Sequence, residues 1–333
     1  MDAYEEWPTA EAASEQLRLP VFVPCSTLVH LPFYVFCAMS ASVDRSALVL
    51  VDKSHDEGRI WVVKLNRPSV RNAVDFWTAK ALSNAFSSFE RCKIARVAIL
   101  TGEGGNFCAG ADLKGMASGS GVNALTDVVE VAQEASGAVF DTTGPMGVSR
   151  MVLSKPVIAA VSGYAVAGGL ELSCWCDMRV ADETAVFGVF CRRFGVPLID
   201  GGTVRLPLLI GHSRAMDMIL TGRAVSAREA LSFGLVNRLV DSSTPAASPP
   251  GQPAVLLEAI ALAKEIANFP QLCMRSDRLS AIHSSGKELR QALQHEFQYG
   301  VASVTKGGLD GAKQFAAGVG RHGVQQQPIR AKL

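Results

Sequence analysis

Two short apolar runs constrain this chain more than any other feature. Val97-Ala98-Ile99-Leu100 stops at Thr101-Gly102, and Pro156-Val157-Ile158-Ala159-Ala160-Val161 stops at Ser162-Gly163. Runs of this length, apolar throughout and closed by turn residues, suit strands covered on both faces, as in a parallel sheet packed between helices. Each run leads into a loop rich in Gly and Ala. The first loop is Asn106-Phe107-Cys108-Ala109-Gly110-Ala111-Asp112-Leu113, and the second is Gly163-Tyr164-Ala165-Val166-Ala167-Gly168-Gly169-Leu170-Glu171-Leu172. A helix is predicted from near Gly168 to about Cys176, and Met178-Arg179-Val180-Ala181 reads as the next strand. Buried strands alternating with helices specify an α/β architecture.

The flanking segments fit the same plan. Ala47 to Val51 and Ile60 to Leu65 alternate as strands around Asp56-Glu57-Gly58, which predicts a hairpin. Leu82, Ala85, Phe86 and Phe89 recur at helical spacing within 75–91. Helices are also predicted over 212–221, 226–233 and 254–268, with Ser226 and Glu229 spaced as a capping box. Residues 241–253, rich in Ser and Pro, read as a linker between an α/β core over 47–240 and a helical part over 254–322. Gly307-Gly308 and Gly318 to Gly320 are expected to interrupt that helical part.

Charge and cysteine content remove several function classes. The 333 residues carry 32 Lys+Arg against 31 Asp+Glu, a net charge of +1. No basic footprint for nucleic acid follows from that balance. The eight cysteines are scattered, which suits reduced thiols inside a cell. Cys174-Trp175-Cys176 has neither the spacing nor the His neighbour of a zinc site, and none of the six His lies near the two Gly loops in sequence. No metal site is expected. Residues 1–46 read as a disordered extension. Its opening is too acidic for a targeting presequence, and Pro20, Pro24 and Pro32 break the one apolar stretch that could be weighed as a membrane span. The final Ala331-Lys332-Leu333, at the end of a tail over 323–333, is close to the Ser-Lys-Leu peroxisomal address. A peroxisomal or related microbody location, with an import receptor as partner, is therefore expected, and a cytoplasmic one otherwise.

The chemistry is carried by the two Gly loops. Small residues let a ligand approach the backbone, and a helix start leaves N–H groups free to meet it. Two such loops side by side can aim two N–H donors at one oxygen, an oxyanion hole. Gly168-Gly169 also suits close helix–strand packing. Glu171 lies in an otherwise apolar stretch with no cation within five residues, so it is either exposed or held in a cleft, where it would transfer protons. Gly102-Glu103-Gly104-Gly105 lacks the Lys-Ser/Thr of a phosphate-binding loop. No G-x-G-x-x-G follows the first strand, which argues against a dinucleotide-dependent oxidoreductase.

The order of motifs resembles the crotonase, or enoyl-CoA hydratase, family over roughly residues 47–322. The resemblance rests on Leu65-Asn66-Arg67-Pro68, Arg71-Asn72-Ala73, the Phe107 to Leu113 loop, Lys155 to Val161, Gly168-Gly169-Leu170-Glu171, Cys176-Asp177-Met178-Arg179, Gly201 to Pro207 and Leu220-Thr221-Gly222. It implies a spiral of ββα units with C-terminal helices that join subunits into trimers or hexamers. It implies oxyanion donors at the Ala111 and Gly168 N–H groups, and CoA contacts at Arg71 and Ala73. Ala109, Gly110, Asp112, Leu113, Gly169 and Cys191 are placed around the bound thioester. Asp112 also suits a local loop cap, and Lys114 either CoA phosphates or solvent. CoA would enter as part of an acyl-CoA substrate, with no separate cofactor.

Glu171 falls on the first of the two glutamates that handle water in hydratases. The second should stand four residues after Phe187, where this chain has Cys191. Asp200, in Ile199-Asp200-Gly201-Gly202, is the nearest acidic candidate, although the same residue suits an ordinary turn. The expected activity is hydration of a 2-enoyl-CoA. Isomerisation, decarboxylation or thioester hydrolysis through the same oxyanion, or weakly catalytic CoA-thioester binding, are the alternatives.

Overall fold

The antiparallel hairpin opens the structure. β1 (Val49–His55) pairs with β2 (Ile60–Leu65), Val49 opposite Leu65 and Val51 opposite Val63, around a 3₁₀ turn at Asp56–Gly58. A computed structural model of the chain describes residues 47–117, 143–241 and 252–318. The expectations for 1–46, for a helical patch at Leu125 to Ala138, for most of the linker, and for the tail with Ala331-Lys332-Leu333 lie outside the described residues.

α1 (Phe76–Arg91) begins at Asp75, whose carboxylate accepts the Thr78 N–H at 2.8 Å and so satisfies one of the free donors of the first turn. β3 (Val97–Gly102) and a short α2 (Leu113–Ala117) follow. Beyond residue 143 come β4 (Val157–Val161), β5 (Tyr164–Val166), α3 (Gly168–Trp175), β6 (Met178–Asp182) and β7 (Val186–Gly188). Next are α4 (Gly202–Ile210), α5 (His212–Thr221), β8 (Val225–Ser226), α6 (Ala227–Phe233) and β9 (Arg238–Val240). The helices α7 (Ala254–Asn268), α8 (Gln271–Ser284), α9 (Leu289–Ser303) and α10 (Leu309–Ala316) complete the described chain.

The main sheet has the order β1-β2-β3-β4-β6-β9 and is parallel from β2 onward. A smaller sheet, β5-β7-β8, stands beside it. The two-residue period of the strands divides the apolar side chains between two cores. Trp61, Val63, Ala98, Leu100, Val157, Ala159 and Val161 face α1 and pack on Leu82, Phe86 and Phe89. Ile60, Val62, Val97, Ile99, Ile158, Ala160 and Val180 face the other way, onto Val255, Leu256, Ala259, Ile260 and Ala263 of α7. That is why the strand runs are apolar without alternation. α7 is the layer that covers the sheet's second face, so the first helix beyond the linker contributes to the core itself.

Two details differ from expectation. Ser226 does accept the Glu229 N–H, at 3.3 Å, but the Glu229 carboxylate turns to Arg223 at 2.7 and 3.0 Å instead of completing the capping box. A bidentate bond to a guanidinium outweighs a neutral bond to one exposed N–H. Gly307-Gly308 does not break the helix: a π turn over Val304–Gly308 carries α9 into α10.

Candidate active site

The start of α3 and the first Gly loop both line a cavity of about 750 Å³. α3 starts at Gly168, directly after Ala167, which holds φ 53° and ψ −126°. A non-glycine residue there costs about 1–3 kcal/mol and persists only when its surroundings over-determine it. They do so here: the Ala167 N–H donates to Gly188 O at 2.9 Å, and Gly110 packs directly against the residue. The turn leaves the Gly168 N–H at the first position of the helix, without an intrahelical acceptor.

The first Gly loop is locked alongside. Cys108 N–H donates to Tyr164 O at 2.8 Å and Val166 N–H donates to Cys108 O at 3.1 Å, so the two loops run as a short parallel bridge. Val74 N–H donates to Gly110 O and Asp112 N–H donates to Val74 O, at 2.8 and 2.9 Å, which straddles Ala111. A Cβ on Gly110 would lie 3.0 Å from Gly168 N, and one on Gly169 would lie 2.0 Å from Cys108 O. Both glycines are required by contact. Among the described residues, no hydrogen bond occupies the Ala111 or Gly168 N–H.

Glu171 sits one turn into α3 and is only 2% exposed. Its Oε1 accepts the Asp200 N–H at 2.9 Å and the Gly202 N–H at 2.8 Å, the latter at the start of α4. Free N–H groups at a helix start favour a carboxylate. Burial and the neighbouring Asp200 charge work against it, and together they push the Glu171 carboxyl up to about 7. A carboxyl poised near neutrality can both take and return a proton. Asp200 is itself buried, and burial raises its carboxyl as well. The Cys191 thiol lines the cavity and is pushed up by burial and then by the Glu171 charge, so it stays protonated.

Eight of the residues singled out from sequence line the cavity: Ala109, Ala111, Asp112, Leu113, Gly168, Glu171, Cys191 and Asp200. Four do not. Gly110 and Gly169 support the loops from behind. Arg71 is exposed, with its carbonyl accepting the Ala109 N–H at 3.0 Å and its guanidinium 5.0 Å above the Tyr164 ring. The Ala73 carbonyl accepts from Arg67 Nη1 at 2.6 Å. Asp112 acts as a loop cap, accepting the Gly115 N–H at 3.3 Å and pairing with Arg67 at 2.9 Å. Lys114 is exposed and outside the lining. Sequence reasoning missed Arg67, Met146, Ser149 and Arg205, whose parts depend on partners far along the chain. It also missed the apolar wall of Phe190, Phe194, Val196 and Ile199. Among the described residues, no three His, Cys, Asp or Glu side chains converge as metal ligands.

Comparison with known proteins identifies this arrangement. A carnitinyl-CoA dehydratase of Salmonella enteritidis is 40% identical over 188 residues, 56% of this chain and 66% of that relative's length, just under two thirds. Solved enoyl-CoA hydratases superpose over most of the chain. That of Mycobacterium marinum has a TM-score of 0.68 at 33% identity, covering 82% of this chain and 96% of its own. That of Bacillus anthracis has a TM-score of 0.67 at 31% identity, covering 81% and 96%. A model of the enoyl-CoA hydratase/isomerase family matches residues 55–300. With the α/β spiral, the paired Gly loops and the buried glutamate in place, the chain belongs to the enoyl-CoA hydratase/isomerase (crotonase) family.

Proposed function

We propose that the protein adds water reversibly across the double bond of a 2-enoyl-CoA thioester. The observation that carries this reading is Glu171: a buried carboxyl with one oxygen pinned by two N–H groups, one turn from the free Gly168 N–H. The thioester oxygen would be held by the Ala111 and Gly168 N–H groups, each donor contributing about 2.7–4 kcal/mol in sites of this kind. Ionised Glu171 takes a proton from water as the water oxygen bonds to C3, and the C2–C3 electron pair moves into the thioester as an enolate. The enolate carbon C2 then takes the proton back from Glu171, which restores the carboxylate. The name of the carnitinyl-CoA dehydratase relative describes water removal, the same reaction type run in reverse. CoA enters with the substrate, and no separate cofactor takes part. Exposed apolar residues on α9 and α10, among them Leu293, Phe297, Leu309 and Phe315, support assembly of several copies through these helices.

Cys191 favours a second reading. With a thiol where hydratases carry their second acid, a single carboxyl must do all proton transfer. That suffices to move a proton between C2 and C4, shifting a double bond with no water added. The deciding experiment follows the loss of enoyl-thioester absorbance from crotonyl-CoA, with Glu171→Gln beside the wild type. Rapid loss that disappears in Glu171→Gln supports hydration. No loss, with a 3-enoyl-CoA converted to its 2-enoyl isomer, replaces hydration by isomerisation.

A further inference from the structure

Asp200 gives nearly every polar part of itself to the protein. Its N–H holds Glu171 Oε1 at 2.9 Å, and its carbonyl accepts Arg205 Nη1 at 3.0 Å. Its Oδ1 accepts the Met146 N–H at 2.9 Å and a short hydrogen bond from the Ser149 hydroxyl. Arg205 Nη2 closes the ring on Ser149 O at 2.7 Å. The ring is tightly packed: a Cβ on Gly144 would meet both Ser149 Oγ and Asp200 Oδ1, and a Cβ on Gly168 would meet Met146 Sδ at 2.7 Å. Asp200 thus ties Glu171, at one end of its bonds, to the Met146 wall that abuts the oxyanion-side glycine at the other.

We propose that Asp200 is a positioning residue, which sets Glu171 and the Met146 wall relative to the start of α3 and does not itself exchange protons with substrate. This rests on the proposed role of Glu171. A carboxylate whose Oδ1 is spent on a backbone N–H and a hydroxyl holds structure, and its charge acts on Glu171 through space. The ionisable groups that face Glu171 are Asp200, Arg205 of α4, Cys191 and, on its own helix, Cys174. Those that face Asp200 are Arg150, Arg205 and Cys108. Asp200 supplies the negative charge that opposes ionisation of Glu171, and Arg205 partly offsets it.

The test is Asp200→Asn. The amide keeps an oxygen for Met146 N–H and Ser149, removes the charge, and puts an NH2 in place of Oδ2. Two quantities are read: turnover, and the Glu171 carboxyl titration followed by isotope-edited infrared spectroscopy, its band assigned by its loss in Glu171→Gln. Positioning predicts kcat within about tenfold of wild type and a Glu171 titration lower by on the order of one pH unit, as for removal of a nearby like charge. A fall in kcat of about 10²–10⁴ in folded protein, the cost of deleting a general acid or base, overturns the proposal. So does a titration that does not move. If Asp200→Asn fails to fold, Ser149→Ala takes its place. It keeps the charge and removes the hydroxyl that holds Asp200 Oδ1 in place beside the Met146 N–H, so KM should rise while Glu171 still titrates near neutrality. Unchanged KM and kcat would overturn the proposal. Should Glu171→Gln keep full turnover, the proposed chemistry fails, while the titration shift remains readable and judges Asp200 separately.

Discussion

A methyl group at position 169 collides with backbone, and the collision has a calculable size. The Cβ of Gly169→Ala would lie 2.0 Å from Cys108 O and 2.7 Å from Cys108 C, where ordinary contact begins near 3.4 Å. Neither atom belongs to a side chain that can rotate away, so α3 and the first Gly loop must separate by about 1.4 Å, the difference between 3.4 and 2.0. The loops carry the two N–H groups assigned to the thioester oxygen, one each. A misplacement of about 1 Å in such a site costs roughly 10²-fold in rate, and overpacking a tight contact costs about 1–3 kcal/mol in stability. Gly169→Ala should therefore lose about two orders of magnitude in kcat/KM on its enoyl-CoA substrate and melt several degrees lower. Gly311→Ala is the control. It lies in α10 with nothing within 4 Å of its Cβ, and should gain roughly 0.5–1 kcal/mol without touching the rate. If Gly169→Ala kept both wild-type rate and melting temperature, the loops would not be set by this contact, and the two-donor geometry would lose its structural basis.

Three further outcomes are expected. Glu171 holds its proton to about pH 7 in the folded protein, against an ordinary value of 4.5. Its contribution to stability is thus fully present below about pH 4.5 and lost as pH rises to about 7, because the folded state binds the proton the unfolded chain releases. The base-dependent rate should rise over the same window. Urea midpoints of wild type and Glu171→Gln on either side of it would show the stability loss in the wild type alone. Arg179 is fully buried among carbonyls, with bonds to Leu235 O at 2.6 Å, Ser173 O at 2.9 Å and Cys176 O at 2.8 Å. Arg179→Met should destabilise by at least about 3 kcal/mol in chemical denaturation, since carbonyls at the end of α3 lose their donors. Cys191→Ala should keep kcat within about tenfold, because a protonated thiol is no base. A loss of about 10² or more would place it in the chemistry.

The elements that were legible in sequence are those with enough residues to show a period. β3, β4 and α1 fall within two residues of expectation, and α7 matches at both ends, framed by Pro253 and by Pro270 just beyond. β5, β7, β8 and β9 span two or three residues each, too few for any pattern, and they exist because a neighbour offers a free edge. α4 begins at Gly202 after a left-handed Gly201, a start that carries none of the usual capping side chains.

The same division runs through the site. Local sequence marked the two Gly loops, because close backbone approach demands small residues, and Glu171, because a carboxyl alone in an apolar stretch is conspicuous, but it left open whether Gly168-Gly169 serves packing alone and whether Glu171 is exposed or held in a cleft. What faces Glu171 was not written locally. Asp200 is 29 residues away, and Asp200 in turn depends on Met146 and Ser149, 54 and 51 residues before it. Arg67 reaches Asp112 across 45. Chain chemistry determines which segments bury themselves and where the backbone must be bare. Only packing buries two carboxyls side by side, and that burial, with the Asp200 charge, sets Glu171's proton affinity.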